Sequence, residues 1–264
     1  MKKKINVKLI LNILMIFFLI GIFGYFLFSE DGLVDLFKNH RKFSWGWLGT
    51  AVICHMINLV ADVYLIFKFV KNGFGKYKLT QAIRASMVGQ FFSAVTPGSS
   101  GGQPMQIYVM SKQGVDSGLA TSALLQKFLV YQMVLTIYCG VAILFRIDYF
   151  NSLNKVVWSI ALFGFCSQAV AIGAMLLFSF CPTVTKKLVI IIFAFLEKLP
   201  FIKDTQKKLE KIEAQIEIFH KSNKEFYKNK LLVLESYVVS VIHLSAIFLV
   251  PYCIYRSFYL SGQS

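Results

Sequence analysis

Residues 7–28, 45–69, 118–145, 156–180 and 231–255 are apolar runs long enough to cross a hydrocarbon core of roughly 30 Å at about 1.5 Å per helical residue. Such runs leave one kind of solution open, helices that satisfy their own backbone inside lipid. Composition matters at one point only. Hydrophobic residues make up 56% of the 264-residue chain and charged residues 16%, too few to cover a soluble surface once the runs are set aside. A soluble enzyme, a disordered tail and a disulfide scaffold are excluded. The expected fold class is an all-α polytopic membrane protein, a helical bundle forming a single transmembrane domain over 1–264.

Run 7–28 follows Met1-Lys2-Lys3-Lys4 and precedes Ser29-Glu30-Asp31. It is too long for a signal-peptide core and lacks a small-residue cleavage site, so it reads as a retained anchor. The formal charge is +15, from 28 Lys and Arg against 13 Asp and Glu. No zinc-finger, RRM or basic-zipper pattern accompanies it, and direct nucleic-acid binding is not expected. The cations sit in loops instead. With a cytoplasmic N-terminus and a third apolar region, 82–110, that turns back, only Lys38, Arg41, Lys42, Arg146, Lys155 and Arg256 lie outside. Most of the others face the cytoplasm, as the positive-inside rule requires. Full crossing by 82–110 would put the lysine-rich stretch after Lys186 outside, against the rule. Cys54, Cys139, Cys166, Cys181 and Cys253 show no CxxC or Cys/His spacing and read as buried free thiols.

Region 82–110 is broken by Thr96-Pro97-Gly98-Ser99-Ser100-Gly101-Gly102-Gln103-Pro104, which cannot continue a helix. Irregular chain at membrane depth is tolerated only when buried in protein or lining a wet cavity. Transporters build substrate sites from such broken helices, because the second half-helix offers free N–H groups and a positive dipole end to an anion. Thr96, Ser99, Ser100 and Gln103 would add side-chain donors, and a lipid phosphate is the natural guest. The alternative is a tight loop outside the membrane. Gly98 and Gly102 also have a small-xxx-small spacing that could pack helices. Segment 203–230 carries Leu209, Ile212, Ile216 and Phe219 on one helical face. It is expected to be a cytoplasmic amphipathic helix, either along the headgroups or packed on a neighbouring helix of the same chain.

Ionisable groups within apolar segments are functional hypotheses by default. They are Asp62, His55, Lys127 and His243, with Arg84 opening the broken region and Glu235 near a span end. Asp62 could pair with Lys127 or Arg84 and hold the bundle together as a structural charge. Alternatively, Arg84 and Lys127 could contact an anionic headgroup. No GxSxG, HExxH, Walker A or GxGxxG motif occurs, and the histidines show no ligand spacing. Neither catalytic residues nor a cofactor or metal is indicated.

The run Gly89-Gln90-Phe91-Phe92, then Thr96 through Gln103 and Pro104-Met105-Gln106-Ile107-Tyr108, resembles the signature of the lysylphosphatidylglycerol synthase transmembrane family, the flippase-like membrane proteins. Leu124-Leu125-Gln126-Lys127-Phe128-Leu129-Val130-Tyr131-Gln132 is similar to the next span of that family. In its bifunctional bacterial members a soluble domain transfers lysine from lysyl-tRNA to phosphatidylglycerol. The membrane bundle moves the product to the outer leaflet, conferring resistance to cationic antimicrobial peptides. The resemblance thus implies a bacterial cell-membrane protein that handles a phospholipid. It maps a headgroup site onto Thr96, Pro97, Gly98, Ser99, Ser100, Gly101, Gly102 and Gln103, with Arg84 and Lys127 as contacts.

Two departures from the family follow. No tRNA-dependent transferase domain accompanies the bundle, and no second Pro-Gly break follows 231–255, so the chain reads as C-terminally truncated. A second copy or a partner would then supply the missing half. Three functions are consistent with these residues: a lipid flippase using the broken helix, a phosphatidylglycerol lysyltransferase or a component of one, and a non-transporting membrane scaffold or gene fragment.

Overall fold

The structure, a computed structural model, describes residues 21, 24, 25, 44–147, 155–197 and 205–258. Of the run 7–28, Gly21, Gly24 and Tyr25 are described and helical; the remainder lies outside the described residues. The helices are α1 (Trp45–Gly73), α2 (Leu79–Val95), α3 (Gly102–Lys112), α4 (Ser117–Phe145), α5 (Lys155–Phe180), α6 (Pro182–Glu197), α7 (Thr205–Lys228) and α8 (Lys230–Phe258). The described chain is all-α, and a 3₁₀ turn at Pro97–Ser99 separates α2 from α3. Among the described residues, four helices are long and apolar enough to cross a membrane: α1, α4, α8 and the Trp158–Phe180 part of α5. This is a multi-pass membrane protein.

By contact, the chain divides into two units, Met1–Ala51 with Pro251–Ser264, and Val52–Val250. In the first, the Ser44 amide donates to the Ser257 carbonyl at 3.0 Å. The Trp47 and Tyr252 rings meet edge to face with centroids 6.1 Å apart, and the Arg256 guanidinium lies 5.4 Å from the Trp47 ring.

In the second unit, α2 and α3 form a hairpin rooted beside the end of α1. Tyr77 Oη donates to Gln113 Oε1 at 3.1 Å, while Gln113 Nε2 donates to the Gln81 carbonyl at 3.2 Å. The residues before α2 and after α3 therefore meet, and the broken segment turns back instead of crossing. Burial pushes the Tyr77 hydroxyl up to about 12, as expected for a phenol that is 2% exposed at this seam. Small residues allow the two arms to approach: an added Cβ on Gly102 would lie 2.9 Å from the Gly89 carbonyl oxygen. On Gly98 it would meet nothing within 4 Å. Only Gly102 of the Gly98/Gly102 pair is a packing glycine.

The core lies around this root, where Leu65, Ile66, Phe69 and Val70 of α1 meet Ala82 and Ala85 of α2, with Leu119, Ala120 and Ala123 of α4. Large apolar residues on the outward faces, such as Val60, Phe91, Ile137 and Phe163, are exposed to the lipid such helices require.

Helix α7 packs on this protein's own spans across that end of the bundle. Ile216, Phe219, Asn223 and Phe226 are buried along one face, extending the expected Ile212–Ile216–Phe219 stripe, whereas Lys211, Glu217, Lys221 and Lys224 are exposed. The side chain of Leu209 lies outside the described residues. Phe226 meets Phe69 edge-on at 4.9 Å, a geometry contributing about 0.5–1.5 kcal/mol beyond burial. Asn223 accepts from Ser122 Oγ and Gln126 Nε2, both at 2.6 Å, and donates to Ser179 at its carbonyl and hydroxyl. One side chain thus ties α7 to α4 and α5.

One turn before Asn223, His220 Nδ1 donates to the Ser179 carbonyl at 3.1 Å, and burial holds the imidazole below its usual 6.5 despite that bond. The fold therefore prefers neutral His220. Its contribution to stability should be complete above pH 6.5 and lost as pH falls through the lower folded value. Comparing thermal midpoints of wild type and His220→Gln from pH 8 to 5 checks this. The difference between the two should change only in the acid half of the range.

Candidate functional site

Two constellations inside the bundle could do chemistry. The first is a cavity of about 550 Å³ at the hairpin tip. Ser93, Gly98, Ser99, Ser100 and Gln103 form its polar end, and Ile107, Leu124, Leu125, Phe128, Met175 and Phe178 its apolar walls, with Thr121 between. The local sequence explains the tip. Thr96 precedes proline and takes extended angles, φ −112 and ψ 140, which stops α2. Gly98 follows at φ 62, a left-handed conformation natural to glycine, and Ser99 follows it at φ 56.

Thr96 then closes the break. Its hydroxyl donates to the Phe92 carbonyl at 2.5 Å and accepts the Gly101 amide at 2.9 Å. Ser100 Oγ donates back to the Pro97 carbonyl at 3.0 Å. The start of α3, an 11-residue helix without a side-chain cap, stands at this end of the cavity, so its first amides present a partial positive charge there.

The second constellation is a partly buried polar cluster. Lys127 Nζ and Asp62 Oδ1 are 2.6 Å apart, with side chains 19% and 13% exposed. Ser86 Oγ donates to Asp62 Oδ2 at 2.5 Å and accepts Gln90 Nε2 at 3.2 Å. On α8, His243 sits 5.7 Å from the ring of Tyr131, centroid to centroid, one turn along α4 from Lys127. Helices α1, α2 and α4 contribute its members, and an ion pair at this depth needs such additional hydrogen bonds to offset its desolvation.

Comparison with known proteins places this architecture. The family model described as lysylphosphatidylglycerol synthase TM region matches residues 9–263. The chain belongs to this family. No curated protein and no solved structure matches it.

Within the family signature, the structure separates the expected site residues into three groups. Gly98, Ser99, Ser100 and Gln103 line the cavity. Thr96, Pro97, Gly101 and Gly102 shape it from behind, through the Thr96 bridge, the bonds to Pro97 O and the close packing of Gly102 on Gly89. Lys127 and Arg84 are elsewhere: Lys127 is paired with Asp62, and Arg84 is exposed on the outer face of α2.

Sequence reading did not single out Ser93, Thr121, Leu125 or Phe128 as cavity residues, nor Ser86 as the third partner of Asp62. Polar residues at i and i+4 in an apolar helix, as Ser86 and Gln90 are, could have flagged the latter. The Tyr64–Glu235–Lys68 contact was also absent from it. Tyr64 Oη donates to Glu235 Oε1, and Lys68 Nζ lies 3.0 Å from the same carboxylate, which fastens α1 to α8.

Proposed function

We propose that this protein moves a phospholipid between leaflets, with the headgroup phosphate seated at the hairpin tip and the acyl tails left in lipid. One observation carries the reading: a cavity inside a membrane bundle whose polar end is a broken helix and whose walls are apolar. Ser93, Ser99 and Gln103 supply neutral donors for a phosphate, and the first amides of α3 supply the field. Leu124, Leu125, Phe128 and Met175 suit the first methylenes of the tails. An aminoacylated lipid such as lysylphosphatidylglycerol is the cargo the family suggests, with resistance to cationic peptides as the consequence. The protein sits in the bacterial cell membrane, and the end bearing Lys71, Lys76, Lys78 and Lys112 faces the cytoplasm, in keeping with the positive-inside rule.

The test is reconstitution of the full chain in phosphatidylglycerol vesicles carrying a fluorescent tracer lipid, with an impermeant quencher reporting outer-leaflet tracer. Wild type is expected to make nearly all the tracer accessible. Pro97-Gly98→Ala-Ala, which removes the proline stop and the left-handed glycine, should leave about half protected while still inserting. Leu125→Trp, which fills the cavity from α4, should do the same. Equal flipping by all three proteins would remove the cavity as the route. In cells, the lysyltransferase alternative predicts a fall in total lysyl-lipid on deletion, whereas translocation predicts a fall only in the fraction reached by an impermeant amine label.

A further inference from the structure

We propose that the seam between α1 and α8 is a second lipid site, holding one zwitterionic phospholipid whose headgroup carries a primary ammonium. Two observations meet there. The first is a groove of about 480 Å³, walled by Ile53, Ile57, Val60 and Tyr64 of α1 with Val239 and Ile242 of α8. The second is the ion pair at its end. Tyr64 lines the groove and donates to Glu235, which lies one turn before Val239. Lys68 Nζ stands 3.0 Å from the same carboxylate. The groove shares no lining residue with the cavity at the hairpin tip, so lipid binding here is independent of transport through that cavity.

Depth suits a phospholipid. Helices α1 and α8 have 29 residues each. That is about 43 Å at about 1.5 Å per residue, against a hydrocarbon core of roughly 30 Å, so about 7 Å of each end lies among headgroups. Lys68 precedes the end of α1 at Gly73, and Glu235 follows the start of α8 at Lys230, by about 7 Å of rise in both cases. The pair thus stands at the boundary of the hydrocarbon, beside the glycerol and phosphate of a lipid. From Tyr64 to Ile53 the groove runs about 16 Å deeper, close to one leaflet's half of the core and so to one acyl chain.

Charge selects the headgroup. The Lys68 and Glu235 side chains are 35% and 30% exposed, so a ligand reaches both. An ammonium has three donors and a carboxylate about four lone-pair sites, and the bonds from Tyr64 and Lys68 leave some of each unused. A phosphate can add to Lys68 while a primary ammonium adds to Glu235, extending the pair into a ring of four charges with no net charge. A purely anionic head gains Lys68 but meets the Glu235 carboxylate, and a quaternary amine has no N–H to offer it. Lys71, the next cation along α1, is held 4.9 Å over the Phe67 ring, leaving Lys68 as the cation of the pair.

The test is native mass spectrometry of the full chain in detergent, with dioleoyl phosphatidylethanolamine, phosphatidylcholine or phosphatidylglycerol added in turn. Wild type should retain the ethanolamine lipid about tenfold more tightly than either of the others, the scale of one charge-assisted hydrogen bond. Glu235→Gln should erase that preference. Val60→Trp, at a position 67% exposed, should fill the groove and weaken retention without touching the pair, so it answers even where Glu235→Gln does not fold. Equal retention of the three lipids by wild type overturns the headgroup assignment, and unchanged retention in Val60→Trp overturns the groove. The preference should persist in Leu125→Trp, which fills the hairpin cavity; its loss there places the lipid in that cavity and overturns the seam. A wild-type dimer that Val60→Trp splits also overturns it, because a second copy then fills the groove.

Discussion

Asp62→Leu should lower the stability of the bundle by about 3–5 kcal/mol, the cost of leaving one member of a buried ion pair without its partner. Lys127 would retain its ammonium at bundle depth, where its side chain is 19% exposed. The Ser86 hydroxyl would also lose its acceptor. Adding Lys127→Met should restore most of the loss, because a well-packed apolar pair of similar volume is often neutral or better. Thermal midpoints of the two single variants and the double variant in detergent give the answer. If Asp62→Leu melts with wild type, the pair does not hold α1 to α4.

Gly102→Val should be the most damaging single change in the hairpin. The added Cβ would overlap Ser93 Oγ and stand 2.9 Å from the Gly89 carbonyl oxygen. A side chain can swing away, but a carbonyl in the middle of α2 cannot move without breaking its helix. The two arms must then separate, at about 1–3 kcal/mol for an overpacked site. Because Ser93 and Gln103 line the cavity from opposite arms, the same displacement should abolish tracer flipping. Gly140→Val is the control, since nothing lies within 4 Å of its added Cβ. Loss of flipping in Gly102→Val but not Gly140→Val supports the hairpin as the working part; equal activity in both refutes it.

The sequence alone determined the features that depend on solvent and on local backbone chemistry. Apolar length decides that a helix lies in lipid, because an unsatisfied backbone there is prohibitive. Thr96-Pro97-Gly98 decides where α2 stops, through proline's lack of an N–H and its effect on the residue before it. The stripe through Ile212, Ile216 and Phe219 marks which face of α7 is buried, because burial follows the helical period.

Only the tertiary structure decided which polar groups meet. Asp62 had Lys127 and Arg84 within the scope of its sequence, and packing brings Lys127 to 2.6 Å while Arg84 points outward. Whether the broken segment crossed or returned depended on Tyr77, Gln81 and Gln113 meeting at its root, a contact between residues far apart in the chain. The cavity likewise draws its walls from α2, α3, α4 and α5 and from the turn at Gly98. Hydrophobic periodicity reports how each helix faces its solvent, which is a local property. Pairing between helices depends on their relative rotation and depth, and those are set by close packing of side chains that no single segment contains.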